Sequence, residues 1–195
     1  MPISNELLTG LNVKKYLDEI ASLRIEIFRE YPYLYDGNRN DELNYLQRYA
    51  EVSDACAIVA FDDENVVGAA TGIPLGQEDG LLAPFASSHH PVDETYYVGE
   101  LLFYPAYRNQ GLGIDLLGVI EKYVLSLGNY RYLASATVVR PDDHPLRPQE
   151  YVQIERFLAR TGFVALPGIT TSFAWREIDG SSNEHPMQFW VKRLS

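Results

Sequence analysis

Basic residues are scarce in this chain. Its 195 residues hold 16 lysines and arginines against 27 aspartates and glutamates, a formal charge of -11. A nucleic-acid surface needs a clustered cationic footprint, so this balance argues against one. Cysteine is nearly absent. Cys56 stands alone among Ala55, Ala57, Ile58 and Val59, which excludes an internal disulfide and reads as a small buried hydrophobe. No run approaches the roughly 18 consecutive apolar residues of a membrane span. Met1 to Gly10 has neither the basic start nor the apolar core of a secretory signal. A cytoplasmic protein with no membrane partner is the resulting expectation. His89 and His90 are adjacent, and no Cys/His/acid spacing completes a metal site, so no metal is expected. Repeats, heptads and low-complexity tracts are missing too.

What is present is ordinary globular sequence, with 46% hydrophobic and 22% charged residues. The length suits a single domain over residues 1–195 with its own core. Apolar residues at Val13, Tyr16, Leu17, Ile20, Leu23, Ile27 and Phe28 predict an amphipathic helix ended by Pro32. Tyr31 to Gly37 (YPYLYDG) is an aromatic-rich loop, and Asn40 is a candidate N-cap for a second helix running to about Glu51. Ala55–Phe61 and Val66–Leu75 read as a hairpin. A loop with a short helix should cover Gly76 to Val92. Thr95 to Tyr104 is a strand stopped by Pro105, and a helix runs from Gly111 to Leu127, closed by Gly128. Tyr130–Val139 is a strand. The three prolines of Arg140 to Pro148 (RPDDHPLRP) exclude regular structure. A helix over Gln149–Arg160 and strands over Thr170–Ile178 and Met187–Leu194 finish an α/β domain around a mixed sheet.

The chemistry concentrates in Glu100-Leu-Leu-Phe-Tyr-Pro-Ala-Tyr-Arg108-Asn-Gln-Gly111-Leu-Gly113-Ile114. A strand ends, the chain turns, and a helix opens at two glycines. Helix N-termini expose unpaired N–H groups and the positive dipole end, a phosphate-binding arrangement. Gly111 and Gly113 allow close backbone approach, and Arg108 adds a permanent positive charge. An ordinary strand-to-helix turn whose glycines serve packing is the plainer alternative. The spacing is not that of a dinucleotide fingerprint.

Leu101 to Gly113 resembles the acyl-CoA motif of the GNAT superfamily: a hydrophobic strand, Pro, then [RQ]-x-x-G-x-[GA]. The element order is similar to that fold over nearly the whole chain. Pro32 to Gly37, Arg140 to Pro148 and Phe189-Trp190 resemble a bacterial subgroup of it. The resemblance implies a mostly antiparallel twisted sheet with helices on both faces, and splayed central strands forming the acyl-CoA cleft. It implies N-acetyl transfer from acetyl-CoA to a small-molecule or peptide amine. Homodimers are common in the family.

The resemblance also assigns roles. Leu102, Phe103 and Tyr104 would offer backbone groups to the pantetheine arm. Asn109, Gln110, Gly111, Leu112, Gly113 and Ile114 would surround the pyrophosphate with Arg108. The strand amides would polarise the thioester carbonyl. A lysine-like amine has a pKa of about 10.4, so a general base is useful at neutral pH. Glu100 is its candidate, with a satisfied sheet carboxylate as the alternative. The tyrosine four residues before the Gly162-Phe163 landmark, a proton donor in many members, is here Leu158; Tyr151 and His144 are the substitutes. Tyr31, Tyr33 and Tyr35 either line the acceptor pocket or pack their loop onto the core. Two other readings stay open: an acyl-CoA-binding sensor or interaction module, and a phosphate-binding domain unrelated to CoA.

Overall fold

The computed structural model describes residues 2–195. Seven strands form one sheet in the order β1-β2-β3-β4-β5-β7-β6: β1 (Ser4–Thr9), β2 (Cys56–Asp62), β3 (Asn65–Pro74), β4 (Thr95–Phe103), β5 (Tyr132–Val138), β6 (Val164–Arg176) and β7 (Ser182–Arg193). Every neighbouring pair is antiparallel except β4 with β5. Helices α1 (Leu17–Phe28), α2 (Arg39–Leu46), α3 (Arg48–Glu51) and α4 (Asp79–Phe85) cover one face. Helices α5 (Leu112–Leu127) and α6 (Ile154–Arg160) cover the other. The two cores meet the expectation of a mixed sheet flanked on both sides. No helix among the described residues is long and apolar enough to cross a membrane. Nor does any group of three His, Cys, Asp or Glu with metal-holding geometry occur among them.

Several boundaries differ from the sequence reading. Strand β1 was not expected. Four of its six residues are exposed, so it lacks the apolar alternation that marks a strand, and it exists by pairing with β2. Gly10–Tyr16 is a 3-10 turn, and the α-helix starts only at Leu17. The second N-cap is Asn38, not Asn40; its side chain accepts the Asp41 N–H at 3.1 Å. The expected helix to Glu51 is two helices, α2 and α3, meeting at Gln47. The last helix begins at Ile154 rather than Gln149, because Tyr151 is drawn out of line to pack edge-on against Tyr31. Strand β6 starts at Val164 and absorbs a register shift between Ala165 and Thr170.

Two irregularities open the sheet where the chemistry is expected. Strands β4 and β5 pair only through Thr95–Tyr97 and Tyr132–Ala134, then part. On the other side of β4, Thr71 faces Glu100 while Gly72 faces Val98, so Gly99 is an inserted bulge residue. Only glycine fits there: a Cβ would lie 2.6 Å from the Tyr49 hydroxyl and 3.2 Å from that of Thr71.

Candidate active site

The cleft between β4 and β5 has a cavity volume of about 230 Å³ and runs from Leu117 and Phe157 to the Tyr31–Tyr33 loop. The turn into α5 follows Arg108, which lines the cleft, while Asn109 to Ile114 lie outside the lining. Asn109 and Gly111 adopt left-handed backbone conformations, φ 61° and 87°. Among the described residues, the N–H groups of Asn109 to Gly113 find no acceptor, whereas those of Ile114 and Asp115 donate to the Gly111 carbonyl. Five consecutive free donors at a helix start are an arrangement that suits an anion. Nothing lies within 4 Å of where a Gly111 Cβ would be, so the mouth is open there. Gly113 instead faces the protein: a Cβ there would meet Leu101 and Phe157 at 3.4 Å, an ordinary packing contact.

Strand alternation sorts the backbone groups of β4. Tyr104 N–H donates to Val67 O on β3, so by register Leu102 also turns its peptide groups toward β3. Leu101 and Phe103 therefore aim at the cleft. Of the three residues expected to meet a pantetheine arm only Phe103 is so oriented, and Leu101 joins it. Arg108 is also not a free cation: its Nε donates to Phe103 O at 2.8 Å, and its two terminal nitrogens grip Glu30 at 2.6 and 3.1 Å. It ties the end of β4 to the end of α1.

Glu100 lies on the α1 face of β4, 4% exposed. One carboxylate oxygen takes the Arg24 guanidinium; the other accepts from Thr71 and from Tyr49, the latter at 3.4 Å. Arg24 also pairs with buried Glu42 and sits against the Phe28 and Tyr45 rings. Burial raises the Glu100 carboxyl above its ordinary value; Arg24 opposes this, Glu42 adds to it, and the tyrosine hydroxyls lower it again. The net direction is upward, as a base working near neutrality requires. Beyond this group, burial also pushes the Glu78 carboxyl to about 7, against its partner Arg48.

Tyr31, Tyr33 and Tyr151 line the cleft, with Phe28, Pro32 and Leu158. Burial, with help from Glu155 and Tyr31, pushes the Tyr151 phenol to about 12, so it stays protonated at neutral pH. Tyr35 does not line the cleft; it bridges to Glu177 and its hydroxyl reaches Glu42. His144 is also outside the lining. Its Nδ1 accepts the Leu146 N–H, and its ring rests 5.6 Å from that of Tyr31. Cys56 is buried as expected, its thiol pushed up to about 12 by burial.

Sequence reasoning missed Arg24, Thr71, Tyr49 and Glu42, which govern Glu100, and Arg140, which holds the Tyr31–Tyr33 loop. Arg140 donates to the carbonyls of Pro32 (2.8 Å) and Tyr33 (3.0 Å) and pairs with Glu177, while Trp175 Nε1 donates to Tyr33 O. The two unusual segments, Pro32 to Gly37 and Arg140 to Pro148, are thus joined by this arginine. One signal was legible. A glycine inside an aromatic strand, Gly99 beside Glu100, marks a bulge.

The sequence model described as "Acetyltransferase (GNAT) family" matches residues 18–148. No curated protein sequence matches the chain. Among solved structures, Arabidopsis thaliana NAA60 in complex with acetyl-CoA is 12% identical, with a TM-score of 0.67 and 99% of each chain covered. The Salmonella typhimurium protein yncA, solved with acetyl-CoA, is 12% identical at a TM-score of 0.63, covering 100% of this chain and 95% of its own. A GNAT-family protein from Desulfovibrio desulfuricans is 14% identical at a TM-score of 0.60, with both chains fully covered. At these identities the likeness is one of fold.

Proposed function

The chain belongs to the GNAT acetyltransferase family, and on that premise we propose that it moves an acetyl group from acetyl-CoA to a primary amine by direct attack. The observation that carries this reading is the run of five free N–H groups from Asn109 to Gly113, in the turn that leads from β4 into α5. That cradle suits a pyrophosphate, and structural neighbours were solved with acetyl-CoA.

Acetyl-CoA would supply an activated thioester; the rest falls to this chain. The cleft-facing N–H groups of Leu101 and Phe103 would hold the pantetheine arm and take up negative charge developing on the carbonyl oxygen, since Phe103 O already accepts from Arg108. Glu100, with its raised proton affinity, would accept the proton that the amine loses as its nitrogen bonds to the carbonyl carbon. The reach is direct or through one water. The C–S bond breaks and sulfur leaves as a thiolate. Tyr151, protonated and lining the cleft, is the donor nearest to hand; a thiol pKa of about 8.5 also permits unassisted departure. Calorimetry with CoA, followed by CoA release over a panel of amines, tests the reading. Binding without release for any amine would favour the alternative, an acyl-CoA sensor. Leu158 at the family's usual tyrosine position is the observation on that side.

Leu158 lines the cleft while only 6% exposed. Leu158→Tyr is therefore expected to fold, its phenol entering the cleft, and to raise turnover by adding a proton donor. Thermal unfolding checks the first part. A stability loss of about 1–3 kcal/mol, the usual cost of overpacking, would show that the new ring cannot leave the core.

A further inference from the structure

We infer that the acceptor is a primary amine on an apolar or aromatic framework, carrying no carboxylate or phosphate of its own. This rests on the acyl-transfer reading and narrows it to a substrate class.

The first ground is shape and polarity. At the acceptor end the wall is built from rings: Phe28 against Tyr33 with centroids 4.5 Å apart, and Tyr31 edge-on to Tyr151 at 4.8 Å. All four line the cleft, and Val152, 62% exposed, continues the apolar surface outward. Such a wall takes up hydrocarbon and presents π-faces to an ammonium.

The second ground is charge. Arg108 is the one cation among the residues lining the cleft, and Glu30 already holds it in a two-point grip. Three neighbouring guanidinium groups are engaged in the same way, whereas Arg156, exposed on α6 beside the lining residue Phe157, is in no ion pair among the described residues. Arg24 lies between Glu42 and Glu100, Arg140 is paired with Glu177, and Arg147 with Asp142. An acceptor carboxylate would therefore enter partly apolar surroundings and meet no free counter-charge among the residues lining the cleft, which is costly. The opposite sign is less fully answered. Glu155 Oε2 is buried without a hydrogen-bond partner, and its charge reaches the Tyr33 and Tyr151 hydroxyls, where Arg24 and Arg147, the latter 5.9 Å from the Tyr151 ring, act in the opposite sense. The field around the cleft thus admits an ammonium and resists an anion, and the chain's charge of -11 adds to it with the same sign.

The test uses the full chain with acetyl-CoA and follows CoA release. Tyramine is compared with tyrosine, phenethylamine with phenylalanine, and tyrosine methyl ester keeps the bulk of tyrosine without its negative charge. Each amine should exceed its amino acid in kcat/KM by about 10²-fold or more, the scale of discrimination when a polar group is left unpaired. The ester should side with tyramine. Equal or reversed preference overturns the inference, as does an ester that behaves like tyrosine. Turnover of neither amine by protein that binds acetyl-CoA in calorimetry overturns it as well. Failure to bind acetyl-CoA would instead overturn the acyl-transfer reading, and this inference with it.

Discussion

Gly111→Asp is expected to abolish measurable acetyl-CoA binding while leaving the fold intact. The residue sits at φ 87° with nothing within 4 Å of where its Cβ would be, so the new side chain starts into open space. Left-handed backbone costs most L-residues about 1–2 kcal/mol, but aspartate and asparagine bear it better than most. The damage is electrostatic. A carboxylate enters the mouth of the cradle formed by the N–H groups of Asn109 to Gly113, where a phosphate belongs. Two unit charges about 4 Å apart repel by about 4 kcal/mol near a protein surface, which is roughly a 10³-fold loss of affinity. Gly111→Asn has the same shape and backbone demand without the charge, and should keep most of the affinity. Calorimetry with CoA separates the two variants, and circular dichroism checks the fold. If Gly111→Asp binds CoA as tightly as the parent protein, the cradle is not the pyrophosphate site.

Glu100→Gln should preserve CoA affinity and lower kcat by about 10²–10⁴, the usual worth of general-base catalysis. The loss should shrink as pH rises, because more of the amine is then already neutral. The Glu100 part of the acid limb of the kcat/KM profile should also be lost, leaving only the rise set by the amine, since burial raises the carboxyl's proton affinity. Stability has its own sign. A carboxyl raised on folding contributes stability below its unfolded value of about 4.5 that is lost as pH rises through the folded value, so the glutamine variant should flatten that stretch of the stability profile. Arg24 keeps Glu42 as a partner in this variant, which limits the structural cost. Full kcat at pH 7 in Glu100→Gln would make Glu100 a structural partner of Arg24. His144 lies outside the cleft lining, so an ordered water would then be the remaining base.

The contrast between elements that could and could not be read from the sequence follows interaction range. The turn from β4 into α5 was legible because its signals are local: an aromatic strand, Pro105, two glycines, and an apolar helix closed by Gly128. Strand β1 was not, since an exposed edge strand carries little pattern and owes its conformation to β2. The last helix was read too long because Tyr151 gains a tertiary ring contact that no local propensity encodes.

The same division runs through the site. By itself the amino-acid order determined the free amides of the cradle, because left-handed turns and the start of a helix are decided by neighbouring residues. Only the tertiary structure decided what surrounds Glu100. Arg24, Tyr49 and Thr71 come from 76, 51 and 29 residues away, and proton affinity depends on burial and partners rather than on sequence neighbours. It also decided that Arg108 is held by Glu30 across 78 residues. A motif specifies that a positive charge is present; whether that charge is free depends on which carboxylate the fold brings against it.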